Sequence, residues 1–268
     1  MVAPSREMSP ELKTLDDVRR AVAEIAKSLD PGSRYVPEFL AIVEASRDVA
    51  DLEARMRAGC RGQRHAGADV FERMTLERKI RCNLITNETV LFRFSEGEWE
   101  ALQRAIAARK SLRILSAPCS HGEEAFSLAA ACLQAGVPFA IDALDIQKEA
   151  IAEARKGHLT MGFPAAYLDS PAIVGAPVLR HIAFAEGDLL GPLPGAERYD
   201  LAVCRNFLGY FKKEIAVDAA MRIAKRLAPG GALFVDSFCV GKFPSLAPAL
   251  AAAGFRRDGA HPVFTAAA

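Results

Sequence analysis

Residues Arg113 to Ser127 read RILSAPCSHGEEAFS, and the reading of that stretch decides the fold. A short apolar run, a turn of small residues, one glycine, two adjacent glutamates and an apolar-periodic segment predict a strand, a tight loop and a helix start. In an open α/β sheet this corner receives a nucleotide-like cofactor, because small residues let a ligand approach the backbone at the carboxyl end of the first strand. A dinucleotide site wants G-x-G-x-x-G and a bare helix N-terminus for the pyrophosphate. Here Gly122 stands without its companions, and Glu123 and Glu124 fill the first helical turn, where they would repel phosphate. S-adenosylmethionine (SAM) carries a sulfonium and an ammonium and no phosphate, so a carboxylate there would attract it. Acids in a first turn also complement the helix dipole with no ligand present, and the stretch alone leaves both readings open.

Working outward, the rhythm from Leu112 onward alternates short apolar runs with helical segments, the pattern of a parallel sheet wrapped by helices. Strands are expected at Arg113 to Ser116, Ala140 to Leu144, Ile182 to Ala185, Leu201 to Cys204 and Ala232 to Asp236. Helices are expected near Glu123 to Gln134, Lys148 to Lys156 and Lys213 to Leu227, the last closed by Pro229-Gly230-Gly231. Leu246 to Ala253 reads as a helix capped by Gly254, and apolar strands at Phe255 and around Val263 would finish the sheet as an antiparallel pair. From Thr14 to Arg81 the chain is charged and helical, with apolar positions such as Val18, Val22, Ile25, Phe39, Ile42, Val43, Leu52 and Met56. Three or four short helices are expected there, broken at Asp30-Pro31-Gly32 and at Gly59 to Gly67. The expected division is a helical N-terminal domain over residues 1–84 and an α/β domain over 85–268.

With 268 residues the chain can bury a sizeable core. A formal net charge of +1 gives no bulk attraction to nucleic acid or to a membrane surface. No apolar run approaches the roughly 20 residues of a membrane span, and the first residues are charged rather than a signal sequence, so a cytoplasmic protein is expected. The cysteines Cys60, Cys82, Cys119, Cys132, Cys204 and Cys239 form no C-x-x-C pair, which fits reduced, mostly buried thiols and argues against zinc.

Chemistry-bearing residues fall at the expected strand ends. Asp145 closes the second strand at roughly the 20-residue offset from the glycine loop where an acid meets ribose hydroxyls, and its coupling to that loop favours this reading over the alternative of a helix N-cap. Asp188, in GDLL, is either an acceptor for an adenine amino group or a turn aspartate. Arg205-Asn206 follow the apolar strand LAVC abruptly, where open-sheet sites are built. Tyr210, four residues past Asn206 in FLGYF, either overlooks the same crevice or belongs to an aromatic core. His121 is the one histidine placed for general-base work, and no residue to orient it can be named. Thr86-Asn87-Glu88-Thr89 before Leu91-Phe92-Arg93 reads by itself as a capped helix start.

Together, Thr86-Asn87-Glu88-Thr89 with Phe92-Arg93, Ala117 to Ser127 as APCSHGEEAFS, Leu144-Asp145-Ile146, Asp188-Leu189-Leu190 and Cys204 to Phe211 as CRNFLGYF resemble the chemotaxis-receptor glutamate methyltransferases, the CheR family. The resemblance covers roughly Arg81 to Val235. It implies a Rossmann-like class I SAM-dependent methyltransferase sheet behind a small helical domain, with SAM as cofactor. It also implies that the acceptor is a glutamate on the cytoplasmic helical region of methyl-accepting chemoreceptors, and a monomer is expected. By the same resemblance Asn87, Thr89 and Arg93 reach the methionine end of SAM, Ala117 is a cofactor-binding residue of the loop, Glu123 meets the ammonium, Asp145 the ribose, Asp188 and Leu189 the adenine side, and Arg205 and Asn206 form the floor. Arg93 and Tyr210 lie beside the methyl acceptor and are the catalytic candidates.

The chain departs from the family pattern at His121, usually threonine, at Ala125, usually proline, and at Asp236-Ser237-Phe238, where an HSE-like segment is usual. Gly157 to His181 is short where family members insert a β subdomain that in some docks a receptor tail. The nearest substitute for the family's basic helix is the run Arg55 to Arg64, which has four arginines and no acid. Two other readings fit the same residues, a SAM-dependent methyltransferase of a small molecule or another protein, and a noncatalytic SAM-binding regulator.

Overall fold

Thr14 starts the first helix, α1 (Leu15–Ala26), through a capping box: its hydroxyl accepts from Asp17 N at 3.1 Å and the Asp17 carboxylate accepts from Thr14 N at 2.8 Å. The apolar positions Val18, Val22 and Ile25 fall on one face and are buried. α2 (Tyr35–Glu44) buries Phe39 and Val43, α3 (Val49–Arg57) buries Leu52 and Met56, and α4 (Leu76–Leu84) buries Ile80 and Leu84. These belong to the first of two compact units, Met1–Glu88 with Tyr210–Lys213; the second is Thr89–Gly209 with Glu214–Ala268. The later segment of the first unit is held by main-chain bonds, Asp30 N donating to Tyr210 O at 2.8 Å and Lys212 N to Ser28 O at 2.9 Å.

The computed structural model describes residues 12–58, 72, 75–84, 94, 96–157, 176–193, 198–259 and 261–267, with the main chain alone at 78, 82, 96, 176 and 177. Of the basic run, Arg55 pairs with Asp51 at 3.2 Å and Arg57 with Glu72 at 3.3 Å, both exposed, and residues 59–64 lie outside the described set. So do most of Gly157 to His181 and the predicted break at Gly59 to Gly67.

In the second unit α5 (Glu96–Ala107) leads into β1 (Leu112–Ser116), α6 (Glu123–Ala135), β2 (Phe139–Asp145), α7 (Lys148–Ala154), α8 (Ala176–Leu179) and β3 (Ile182–Glu186). Then come β4 (Tyr199–Cys204), a 3-10 turn at Leu208–Tyr210, α9 (Lys213–Ala224), β5 (Leu227–Val235), α10 (Ser237–Lys242), α11 (Leu246–Ala252), β6 (Phe255–Arg257) and β7 (Val263–Ala266). The sheet order is β3-β2-β1-β4-β5-β7-β6, parallel from β3 to β5, with β7 antiparallel to both β5 and β6. This is the α/β sheet with an antiparallel finish that the alternation of apolar runs predicts. Ile114 sits between Ile141 and Leu201 in register, and such apolar strands require helices on both faces. α6 is buried from Glu123 to Cys132, and its run of alanines lets it lie close against its neighbours.

Two expectations need correction. Pro229-Gly230-Gly231 does not close a helix. α9 ends at Ala224, and the three residues lie inside β5, where Tyr199 pairs with Leu227 and Leu201 already pairs with Ala232, so the intervening residues loop out. Gly230, at φ 69°, supplies the left-handed conformation that a bulge of this kind needs. The fifth strand also stops one residue short of the prediction, because Asp236 leaves it to cap α10, accepting from Cys239 N at 2.7 Å. α5 and α10 were not legible as separate helices. Among the described residues no helix is long and apolar enough to cross a membrane.

Candidate functional site

The strand order reverses between β1 and β4, and in open sheets ligands bind outside the carboxyl ends of the strands at such a point. The loop after β1 is pinned to both neighbours there: Ala117 N donates to Val203 O at 3.0 Å and Cys119 N to Leu144 O at 2.8 Å. Ser120 and Gly122 adopt positive φ, 51° and 95°, to turn the chain into α6. A Cβ on Gly122 would lie 2.9 Å from the Phe126 ring and 3.1 Å from that of Phe184. Glycine is therefore required by backbone conformation and by packing against two aromatic rings, a reason the sequence did not reveal.

Asp145 is buried and already serves as an acceptor for two main-chain donors. One carboxylate oxygen accepts from Ser120 N at 2.8 Å, the other from Gln147 N at 2.9 Å. Gln147, not Asp145, is the N-cap of α7, so the capping alternative fails in its simple form and becomes an Asx turn. Burial raises the Asp145 carboxyl above its ordinary range, with the hydrogen bonds from Gln147 and Ser120 acting the other way.

The two glutamates of the loop divide. Glu123 is 1% exposed in the first turn of α6. Glu124, also buried, accepts from the Ser116 hydroxyl at 3.1 Å and lies 4.0 Å from the Arg205 guanidinium. On the other side of Arg205 stands Glu98 of α5, at 3.5 Å. The guanidinium carbon lies 4.0 Å from the centroid of the Phe94 ring, a cation–π contact. Burial pushes the Glu124 carboxyl up to about 7; Arg205 and the Ser116 hydroxyl pull it down and Asp236 pushes it further up. Arg205 Nε is a buried donor with no hydrogen-bond partner among the described residues.

Asn206 follows at φ 53°, a conformation asparagine tolerates better than most residues, and its N–H donates to Asp236 at 3.0 Å. Asp188 is exposed and accepts from Leu190 N at 2.8 Å, as a turn aspartate does, while Leu189 is buried. His121 is buried, with Nδ1 3.3 Å from the Ser120 hydroxyl and Nε2 without a partner among the described residues. Burial lowers its pKa, opposed by Glu153, so the ring is neutral at pH 7. Tyr210 belongs to the other compact unit, with its ring centroid 6.1 Å from that of Tyr35. Asn87, Thr89 and Arg93 lie outside the described residues.

The structure thus gathers Ala117, Glu123, Asp145, Arg205 and Asn206 at the carboxyl edge of the sheet, with Asp188 and Leu189 after β3. Two acids were missed as members of this edge. Glu98 accepts from Ser237 N at 3.0 Å and from its hydroxyl at 2.7 Å, while Asp236 ties Asn206 to the start of α10. Asp236 carried a signal, a strand-end acid in the place of the family's HSE-like segment. Glu98 carried none, because an acid between Glu96 and Glu100 in a stretch with no recognised element looks solvent-facing.

The side chains fit a cofactor that carries cationic groups next to a ribose. Glu123 and Asp145 flank a loop that contains no lysine or arginine from Ala117 to Ser127, and the unpartnered Arg205 Nε–H suits a carboxylate on the ligand. Residues 87–237 match the family model described as CheR methyltransferase, SAM binding domain. The chain is 32% identical over 175 residues to a probable biofilm formation methyltransferase, WspC, of Pseudomonas aeruginosa, covering 57% of this chain and 41% of WspC. It is also 32% identical over 183 residues to chemotaxis protein methyltransferase 1 of the same organism, covering 58% of this chain and 66% of that one. The chain therefore spans less than half of WspC and just under two thirds of the chemotaxis relative. Among solved structures, the N-methyltransferase NodS of Bradyrhizobium japonicum in complex with S-adenosyl-L-homocysteine is similar at 20% identity and TM-score 0.42, over 62% of this chain and 84% of that one. With more than half of its length matched to the SAM-binding domain, the chain belongs to the CheR methyltransferase family.

Proposed function

We propose that this protein methylates glutamate carboxylates on the cytoplasmic helical region of chemoreceptors. The observation that carries the reading is the arrangement of buried acids, Glu123 and Asp145, around a glycine loop without lysine or arginine at the topological switch point. When bound, SAM supplies an electrophilic methyl group on a sulfonium. In this reading Asn87, Thr89 and Arg93 hold the methionine end, Glu123 attracts the ammonium, Asp145 accepts from the ribose, Asp188 and Leu189 border the adenine, and Arg205 and Asn206 form the floor.

Arg93 and Tyr210 position the acceptor. A glutamate with an ordinary pKa of about 4.3 is already an anion at neutral pH, so its oxygen needs no general base. A neutral, buried His121 is consistent with that. The protein's contribution is then to hold the acceptor oxygen in line at near-attack distance and exclude water. Tight gripping of the carboxylate would be wasted, since its charge is lost as the reaction proceeds and ground-state binding alone gives no acceleration.

The test is methyl incorporation from radiolabelled SAM into purified receptor cytoplasmic fragments. Base-labile label on the receptor is the expected outcome. Cofactor binding without transfer to receptor would overturn the reading in favour of a SAM-binding regulator, and label on another acceptor in favour of a different substrate.

A further inference from the structure

One guanidinium lies between two buried carboxylates at the edge of the sheet. Arg205 is 3.5 Å from Glu98 and 4.0 Å from Glu124, and all three side chains are nearly inaccessible. One guanidinium shared between two buried carboxylates cannot give both its full attraction, and burial penalises the anion that is less well served. The two acids are unequally supported. Glu98 accepts from both the N–H and the hydroxyl of Ser237, at 3.0 and 2.7 Å, whereas Glu124 accepts from the Ser116 hydroxyl at 3.1 Å. More donors favour the anion, so of the two Glu124 is the acid that takes up a proton more readily. The Phe94 ring, 4.0 Å from the guanidinium carbon, fixes the plane in which Arg205 can turn between them.

We propose that Glu98 is a positioning residue of the cofactor site: it competes with Glu124 for Arg205 and thereby fixes the direction in which the guanidinium presents its unpartnered Nε–H. The proposal rests on the reading of this edge as the SAM site. Glu98 reaches it from α5 and also anchors the first residue of α10, so one carboxylate ties together the ends of β4 and β5. Facing Glu124 are Cys204 at the end of β4 and Arg205 just after it, Asp236 at the N-cap of α10, Cys119 from the loop and the adjacent Glu123; Glu98 acts on it through Arg205.

The experiment is a side-chain carboxyl NMR titration of the ligand-free protein, in wild type, in Glu124→Gln to assign the signal, and in Glu98→Gln. Removing the Glu98 charge releases Arg205 to Glu124, so the Glu124 midpoint should fall by about one pH unit or more. Calorimetry at pH 7 should show S-adenosylhomocysteine bound roughly three- to tenfold more weakly by Glu98→Gln, since Arg205 turns away. An unmoved midpoint overturns the proposal, even if affinity drops, because Glu98 would then act only as an anchor for Ser237. If Glu98→Gln does not fold, Glu98→Asp retracts the charge by one methylene and should shift the midpoint in the same direction by less; an unchanged midpoint there overturns the proposal equally. Failure of wild type to bind S-adenosylhomocysteine would sink the cofactor reading instead, while the ligand-free titration still decides the role of Glu98.

Discussion

The carboxylate of Asp145 accepts the main-chain N–H of Ser120 at 2.8 Å, so the end of the second strand holds the loop that follows the first. A ribose contact of Asp145, as proposed, would therefore be coupled to the shape of that loop. Asp145→Ala should weaken S-adenosylhomocysteine at least tenfold and lower the unfolding free energy by about 1–3 kcal/mol, because two main-chain donors lose their acceptor. Asp145→Asn, which keeps one acceptor oxygen, should fall between. Calorimetry and urea unfolding read the two effects separately, and unchanged affinity in the alanine variant would remove Asp145 from the site.

Gly122→Ala should be among the most damaging single-atom additions in the sheet unit. Its φ of 95° is strained for any side chain, and the new methyl would sit 2.9 Å from the Phe126 ring. Left-handed strain and overpacking together predict a loss of about 2–4 kcal/mol, measurable by urea unfolding. A loss below about 1 kcal/mol would mean that the Phe126 and Phe184 rings yield freely and that the loop is looser than its hydrogen bonds suggest.

The fold was legible because parallel strands such as LAVC announce themselves as continuous apolar runs, and because the loop at Gly122 separates one from a long helix. What stayed hidden depended on tertiary partners. Pro229-Gly230-Gly231 has the composition of a helix stop, and only the pairing of Tyr199 with Leu227 turns it into a bulge. Likewise Arg205 was readable as a strand-end cation, but its partners Glu98 and Glu124 come from helices more than 75 residues away in sequence, beyond any local pattern. Asp188 shows the opposite case, a residue whose local turn is plain while its expected ligand contact has no counterpart in the protein's own bonds.

Glu124 makes stability depend on pH with a definite sign. Its folded carboxyl titrates at about 7 against an ordinary 4.5, so the folded state holds the extra proton. That stabilisation is complete below about pH 4.5 and is lost as pH rises through 7, a change on the order of 3 kcal/mol. His121, with a lowered pKa, contributes in the opposite sense, its stabilisation being present above about pH 6.5 and lost on acidification. Comparing wild type with Glu124→Gln by urea unfolding at pH 5 and pH 8 cancels the histidine contribution. Wild type should lose stability relative to the variant between the two pH values, and parallel curves would contradict a protonated Glu124.

Glu123→Gln tests the electrostatic reading of the loop. If its carboxylate attracts the ammonium, SAM should bind about ten- to a hundredfold more weakly while adenosine, which lacks the cation, is little affected. Equal losses for both ligands would mean that the acid supports α6 or the loop.

The most discriminating comparison is between Tyr210→Phe and Arg93→Ala. Tyr210 is 9% exposed, with its ring near Tyr35, and phenylalanine keeps that ring contact, so the substitution removes the hydroxyl alone. If the hydroxyl positions the acceptor carboxylate, the methylation rate should fall while SAM affinity stays nearly intact. Arg93→Ala should reduce both, because that arginine is proposed to touch the methionine carboxylate as well as the acceptor. A hydrogen bond to a charged partner is worth about 1.5 to 3 kcal/mol, so each rate loss should be roughly ten- to a hundredfold. The readouts are single-turnover methyl transfer to receptor fragments and calorimetry with S-adenosylhomocysteine. Wild-type turnover in Tyr210→Phe would return this tyrosine to a purely structural role beside Tyr35, and the acceptor would then be positioned by Arg93.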